Sequence, residues 1–311
     1  MLKQVQHDKS MKATKQNLPL VSVIMPVYNA GAYLVDAIES ILNQTYTNLE
    51  FIIVDDCSTD NSSKILALYK QKYPKLIKVI RTPHNLNGGG DRCANEALNI
   101  AKGKYVARMD ADDISQPTRL EKQVAMLEVN PDIFLVGSNA TVIDRDNHII
   151  GQKAEPLTSD AIYKAYFTFH PLIHPTVMLR RIMPNGKPFN YHIKYSANND
   201  YYTFFSLICQ GFQFANLEES LLLYRIHGKN DTFKKMKRKF MNTLKVRAEM
   251  VIRNNYKLTI KGVVMTTMQG AAIFLLPENI TTYLYLVSKG IIKKEEIFSF
   301  LPSPQLALFK A

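Results

Sequence analysis

The chain has only three cysteines in 311 residues, Cys57, Cys93 and Cys209. They are odd in number and far apart, which excludes a disulfide framework, and no C-x-x-C pair offers a zinc site. A reducing, cytoplasmic setting fits such a chain. Also lacking is an apolar run of the roughly 20 residues needed to cross a bilayer. The uncharged stretch from Gly262 to Pro277 is interrupted by Thr266, Thr267 and Gln269, and it reads as an interfacial or core helix. Residues 1–16 are polar and basic without an apolar segment, which predicts a flexible leader over residues 1–18 rather than a secretory signal. There is no internal repeat and no low-complexity tract. A dinucleotide fingerprint is missing too, because Asn85-Leu-Asn-Gly-Gly-Gly90 follows the third predicted strand and lacks the G-x-G-x-x-G spacing.

What is present is an apolar fraction of 46%, enough for a substantial core, and a regular alternation of short β-rich runs with helical patterns. Strands are predicted at 21–25, stopped by Pro26, and at 49–54, 76–81 and 104–109. Helices are predicted at 32–43, 62–72 and 90–102, the first placing Leu34, Ile38, Ile41 and Leu42 on one face. The reading is an α/β nucleotide-binding fold with a central, mostly parallel sheet flanked by helices. Further on come a helix at 118–127, a strand at 133–143, a helix at 201–210 ending at Gly211, and a strand at 221–226 leading into the turn 227–230. The net charge of +12 is concentrated in residues 231–261, where ten Lys or Arg face two acids. Such a run meets nucleic acid or anionic lipid, or is a solvated helix face. Its apolar, Tyr-containing neighbour (Tyr283, Tyr285) fits an anionic membrane surface, with packing against the rest of the chain as the alternative.

In open α/β sheets the ligand sits beyond the carboxyl ends of the strands. Three such ends carry polar clusters: Pro26-Val-Tyr-Asn29, where Tyr28 could stack on a base and Asn29 shape the turn; Asp55-Asp56-Cys57-Ser58-Thr59-Asp60, with acceptors for a pyrimidine or a ribose; and Asp110-Ala-Asp-Asp113. Each also has a structural account, in which Asp60 or Ser62 caps the next helix, Tyr28 is a turn residue and Asp113 caps the helix that follows. Two carboxylates at i and i+2 can converge on a hard divalent cation whose shell is completed by substrate phosphates. An EF-hand is excluded, since Ser115 stands where the loop needs glycine. The glycines up to Gly90 allow close backbone approach to a ligand, and Arg92 or the helix N-terminus can hold negative charge.

The runs Val21-Ser-Val-Ile-Met-Pro-Val-Tyr-Asn29, Ile53-Val-Asp-Asp-Cys-Ser58 and Gly103-Lys-Tyr-Val-Ala-Arg-Met-Asp-Ala-Asp-Asp113 together resemble family 2 glycosyltransferases of the GT-A fold. His174-Pro-Thr-Val-Met178, Asn199-Asp-Tyr201 and Leu223-Tyr-Arg-Ile-His227 follow in the order of that family, so the resemblance runs from Val21 to Asn230. It implies a catalytic domain over 19–230, with a donor half 19–115 and an acceptor half 116–230, and a basic, amphipathic helical extension over 231–311. It also implies an inverting transfer from a nucleotide-diphosphate sugar, a UDP-sugar above all, to the hydroxyl of a saccharide or lipid-linked saccharide. In that comparison Pro26, Val27, Tyr28, Asn29, Asp56, Arg92, Asp110 and Ala111 belong to the donor site. Asp112, Asp110 and His227 attend Mn²⁺ or Mg²⁺, and Asp200 is the catalytic base. Asn199 replaces the Glu that usually precedes this base. The implied setting is the cytoplasm, peripheral at the inner face of the membrane, in surface polysaccharide or glycolipid synthesis, without nucleic acid. A metal-dependent nucleotidyltransferase and a non-catalytic nucleotide-sugar or nucleic-acid binding module are the other classes, separable by product analysis and by salt dependence.

Overall fold

The computed structural model describes residues 18–87, 90–227 and 236–288. The leader up to residue 17, Gly88 and Gly89, the turn and basic residues 228–235, and the tail 289–311 lie outside the described residues.

The first half alternates β1 (Val21–Val27), α1 (Leu34–Leu42), β2 (Leu49–Asp55), α2 (Ser62–Lys72), β3 (Ile77–Arg81), α3 (Asp91–Ile100) and β4 (Tyr105–Arg108). Side chains of a strand alternate between faces, and the two cores follow that rule. Val21, Val23, Met25, Phe51 and Ile53 pack in one apolar cluster with α1, while Ile24, Ile52 and Val54 pack in the other with α3. Burial on both faces explains why these strands are continuous apolar runs.

Pro26 does not stop β1. The Val27 carbonyl accepts from Asp56 N on the β2 side, and the Ile24 carbonyl accepts from Met109 N on the β4 side. Alternation turns Pro26 toward β4, beyond the last β1–β4 pair, Ile24 with Arg108, so its missing N–H breaks no ladder bond.

The second half adds β5 (Ile114–Ser115), α4 (Arg119–Val129), β6 (Ile133–Ile143), β7 (Ile149–Lys153), α5 (Ser159–Ala165), a 3₁₀ turn at His174–Thr176, β8 (Met178–Arg180), α6 (Asn199–Cys209) and β9 (Gln213–Arg225). The strands join one sheet in the order β3-β2-β1-β4-β8-β6-β9-β5, with β7 on the side of β6. Parallel pairing predominates along its length, in β1–β2, β2–β3, β1–β4 and the long β6–β9 ladder. Short antiparallel ladders link β4 to β8 and β5 to β9. The parallel order therefore ends at β4, which is where the acidic turn emerges.

Three helices follow, α7 (Met236–Asn254), α8 (Ile260–Leu275) and α9 (Glu278–Ser288). One face of α7 packs inward: Val246 and Met250, with Tyr256 beyond its end, belong to the core that holds α6. Glu249 accepts from Lys194 Nζ at 2.7 Å, Tyr195 Oη at 2.8 Å and Tyr202 Oη at 3.0 Å. The buried Arg247 donates to the Thr168 carbonyl at 2.7 Å. Lys237, Arg238, Lys245 and Arg253 are exposed. No described helix is long and apolar enough to cross a membrane.

Candidate active site

The loop after β1 is pinned to the loop after β2. Asn29, in the left-handed region at φ 51°, donates its N–H to Ser58 Oγ at 3.1 Å, and its Oδ1 accepts from Thr59 N at 2.8 Å. Asn29 therefore shapes the turn, as one sequence reading held. Asp60 and Ser62 serve the same junction, accepting from Gly31 N and Ala30 N; Asp60 Oδ1 also accepts from Ser62 N at 2.9 Å, at the start of α2, as the capping account of Asp60 expected. Tyr28 is 54% exposed at the tip, whereas Val27 is buried in the core. Asp56 is buried, with Oδ1 accepting from Leu86 N at 2.7 Å and Thr82 Oγ1 at 3.2 Å. Beneath it, burial first and then the Asp56 charge push the Cys93 thiol up to about 12, so this cysteine stays a neutral packing group.

The carboxylates of the turn after β4 take different partners. Asp110 Oδ1 accepts from Arg108 Nε at 2.9 Å, while Asp112 Oδ2 lies 3.0 Å from His227 Nε2. Ala111 is buried between them. Arg225, at the end of β9, donates from Nε to the Asp112 carbonyl at 2.7 Å, and its guanidinium lies over the Tyr33 ring, 4.7 Å from the centroid. Tyr33 stacks on His227 at 4.9 Å. Asp113 does not cap the following helix. It is buried, and its Oδ1 accepts from the Arg225 backbone N–H at 2.8 Å, fastening the turn to β9; α4 begins after Thr118.

Arg108 is the charged centre of the floor. Burial opposes its charge, but Asp110, Tyr191 and Asp91 outweigh that and raise its pKa. Asp91, first residue of α3, faces it at 3.8 Å, and burial followed by the Asp200 charge pushes the Asp91 carboxyl well up. Arg92, next in sequence, is exposed. Gly90 precedes α3 at φ 87°, and a Cβ there would stand 2.9 Å from Arg108 Nη2 and 3.4 Å from Pro26 Cβ. The close approach expected of this glycine is thus an approach to Arg108 and Pro26.

Asp200 lies in the first turn of α6, one residue into the helix rather than at its cap, which is Asn198. Its Oδ2 is 3.5 Å from His170 Nε2 and 3.6 Å from His174 Nδ1. Burial disfavours its charge, yet His170 and His174 hold the carboxyl well below the usual range. His174 Nε2 meets Tyr191 Oη at 2.9 Å. Burial, then the nearby Arg108 charge, bring the His174 pKa down to about 3, and burial raises that of Tyr191. A neutral imidazole whose Nε2 accepts from a protonated phenol carries its own proton on Nδ1, toward Asp200. Asp91, Asp110, His170, His174 and Asp200 line one cavity.

The model of the family described as "Glycosyl transferase family 2" matches residues 22–192, more than half of the chain. The chain belongs to glycosyl transferase family 2. An uncharacterised glycosyltransferase of Methanocaldococcus jannaschii is 38% identical over 224 residues, 71% of this chain and 75% of the relative. Chondroitin synthase of Escherichia coli is 28% identical over 80% of this chain and 35% of its own. Among solved structures, S. aureus TarS 1–349 in complex with UDP-GlcNAc superposes with a TM-score of 0.53 at 17% identity, covering 87% of this chain and 88% of that one. Mannosyltransferase PcManGT from Pyrobaculum calidifontis, in complex with GDP-Man and Mn²⁺, gives 0.54 at 18% identity over 95% and 80%. These two neighbours share the GT-A fold with this family 2 glycosyltransferase.

Sequence reading of the transferase missed Asp91, Arg108, His170, Tyr191 and Arg225, and gave His174 no role. Arg108 and Arg225 lay inside the quoted runs, so an arginine between apolar strand residues was the available signal. His170 and Tyr191 had none, because only the tertiary fold brings them to Asp200. Among the described residues no group of three or more His, Cys, Asp or Glu forms a closed metal cluster. Asp112 Oδ2 and His227 Nε2 stand 3.0 Å apart, a carboxylate oxygen and an imidazole nitrogen whose chemistry is compatible with a shared divalent ion such as Mn²⁺.

Proposed function

We propose that this family 2 glycosyltransferase is an inverting, metal-dependent hexosyltransferase that moves a sugar from a nucleotide diphosphate, UDP above all, to the hydroxyl of a saccharide. The observation that carries this reading is the position of Asp200, its Oδ2 3.5 Å from His170 and 3.6 Å from His174, in the cavity that also contains Asp110. In this reading Tyr28 stacks on the base and Asp56 accepts from it. Pro26, Val27, Asn29 and Ala111 shape the donor side, Asp110 meets the ribose, and Arg92 at the rim adds positive charge. Asp112, Asp110 and His227 would hold Mn²⁺ or Mg²⁺. When bound, the ion supplies Lewis acidity to the departing diphosphate.

Asp91 Oδ1, which lines the cavity, and Arg108 Nη1 behind it face each other at 3.8 Å without a hydrogen bond, so the pair is suited to receive a polar group of a sugar. The acceptor oxygen bonds to the anomeric carbon as the bond to the diphosphate oxygen breaks, the electron pair leaving with the diphosphate. The acceptor proton passes to Asp200. Its low basicity suffices because that proton turns acidic as the new C–O bond forms. His174, its Nδ1 facing the carboxylate at 3.6 Å, flanks Asp200 without competing for the proton.

Chondroitin synthase among the relatives supports a polysaccharide or glycolipid pathway, and the UDP-GlcNAc and GDP-Man complexes of the neighbours support a nucleotide-sugar donor. The exposed cations of α7 and the exposed Ile260, Val263, Val264 and Leu275 of α8 support peripheral attachment to the cytoplasmic face of an anionic membrane. The test is calorimetric titration of UDP-sugars with Mn²⁺ alongside turnover. Asp112→Ala is expected to weaken metal-dependent donor binding, and Asp200→Asn to preserve it while abolishing transfer. Near wild-type turnover in Asp200→Asn removes the base assignment.

A further inference from the structure

The cavity that begins at Asp91, Asp110 and Asp200 continues past them. Its volume is about 620 Å³, within the range that encloses a ligand larger than a single small group. Its far part runs between α7, α8 and α9 and is walled by Met236, Phe240, Met265, Met268, Ala272 and Ile273. Most polar side chains on that wall are already engaged, Asn198 Oδ1, nearer Asp200, being the exception. Gln269 Nε2 donates to the Thr168 carbonyl at 2.8 Å and its Oε1 accepts from Arg247 Nη1 at 3.2 Å. Thr243 Oγ1 donates to the Lys239 carbonyl and accepts from Asn198 Nδ2, and Thr281 Oγ1 donates to the Ala272 carbonyl. A sugar placed there would exchange water for methyl and thioether groups and leave its hydroxyls unpaired. A hydrocarbon chain would lose nothing, and each methylene it buries favours binding about fourfold.

We infer that this far part is a binding site for a long aliphatic chain carried by the acceptor, so that the acceptor is an amphipathic glycoconjugate whose sugar reaches Asp200 while its hydrocarbon lies between α7, α8 and α9. Two observations commit the site to that occupant. The polar and apolar walls form one continuous cavity with the base at its polar end. At the other end the lining residues Met265, Met268 and Leu284 are 38%, 60% and 42% exposed, beside the exposed Val263 and Val264, so the apolar wall emerges onto an apolar surface. The inference rests on the transferase reading and adds the class of acceptor to it.

The test is competition against dansyl-labelled undecanoic acid, followed by fluorescence on the full chain, with methyl, octyl and dodecyl β-D-glucoside below their micellar concentrations. The expected result is saturable probe binding, displacement by the dodecyl glucoside at a concentration at least tenfold lower than by the octyl, and none by the methyl. Ile273→Trp, which fills the cavity, and Met268→Glu, which charges its rim, should each weaken probe binding at least tenfold. Met268 is 60% exposed, so that variant is readable even where Ile273→Trp fails to fold. Ala271→Glu, at an exposed position of α8 outside the cavity lining, should leave binding unchanged. Absence of probe binding, equal displacement by all three glucosides, or equal weakening by Ala271→Glu overturns the inference. Hydrolysis of a panel of UDP- and GDP-sugars by the wild-type chain with Mn²⁺ is measured in parallel. Hydrolysis without probe binding removes the aliphatic site alone, and loss of hydrolysis across the panel counts against the transferase reading itself.

Discussion

Asp200 and His174 are a half-buried pair whose protonation is set by different surroundings. The histidines favour the Asp200 carboxylate, so the acid limb of kcat/KM should lie below pH 4; a limb near pH 6 would assign the base to a histidine instead. Asp200→Asn should lower kcat by at least the 10²–10⁴-fold typical of general-base removal. For stability the two groups act in the same direction. His174 binds its proton near pH 6.5 when unfolded and near 3 when folded, so between those values the unfolded chain holds more protons. Stability therefore falls as pH falls through that window, by at most about 1.4 kcal/mol per unit. The Asp200 contribution is present above the ordinary carboxylate pKa and is lost only as pH drops through its lowered value. Thermal melts from pH 7 to pH 4 should show a shallower decline in His174→Asn than in the wild type. Gly90 offers a second residue-scale test. Gly90→Ala forces a side chain into φ 87° and against Arg108, and should cost about 1–2 kcal/mol, read as a drop of a few degrees in Tm.

Among the elements, α7 has two faces with separate consequences. Its exposed cations, Lys237, Arg238, Lys245 and Arg253, can be reversed to Glu without touching the core. At about 1 kcal/mol per cation near an anionic surface, the fourfold variant should float on phosphatidylserine liposomes at least tenfold less well, and unchanged flotation removes the membrane proposal. The elements most legible in the sequence were those with one clear period. Residues 133–143 are a strand-like run buried along nearly its whole length as β6, and 62–72 form α2 with the bounds expected. Strands β5, β7 and β8 were missed because two to five residues carry too little pattern. The polar first half of β9, Gln213–Ser220, was missed because its pairing with β6 is dictated by tertiary contact rather than by composition. The donor-side carboxylates were legible because the chain places them just after strands. The partners of Asp200 were not, since His170 and His174 lie 30 and 26 residues away in irregular segments.

At the scale of the whole molecule, α7 of the basic extension packs on the core, the alternative that its composition left open. Val246, Met250 and Tyr256 belong to the cluster that seats α6 and therefore Asp200. Deleting residues from 231 onward removes these three apolar side chains, each worth roughly 1.5–3 kcal/mol of burial, together with the Glu249 and Arg247 hydrogen bonds. The truncated chain should lose its cooperative melt by near-UV circular dichroism, which makes charge reversal the cleaner probe of membrane attachment.

The junction of Arg225 with Asp112 and Asp113 bears on how the enzyme comes into being. The strand that carries this arginine pairs in parallel with β6, some 80 residues earlier, and such distant closure is slow compared with local folding. During synthesis residues 19–115 can collapse as their helices and strands leave the ribosome. The bonds that fasten the acidic turn to Arg225 form only when that residue has emerged and docked, so β9, though remote in sequence, is the strand that fixes the turn last.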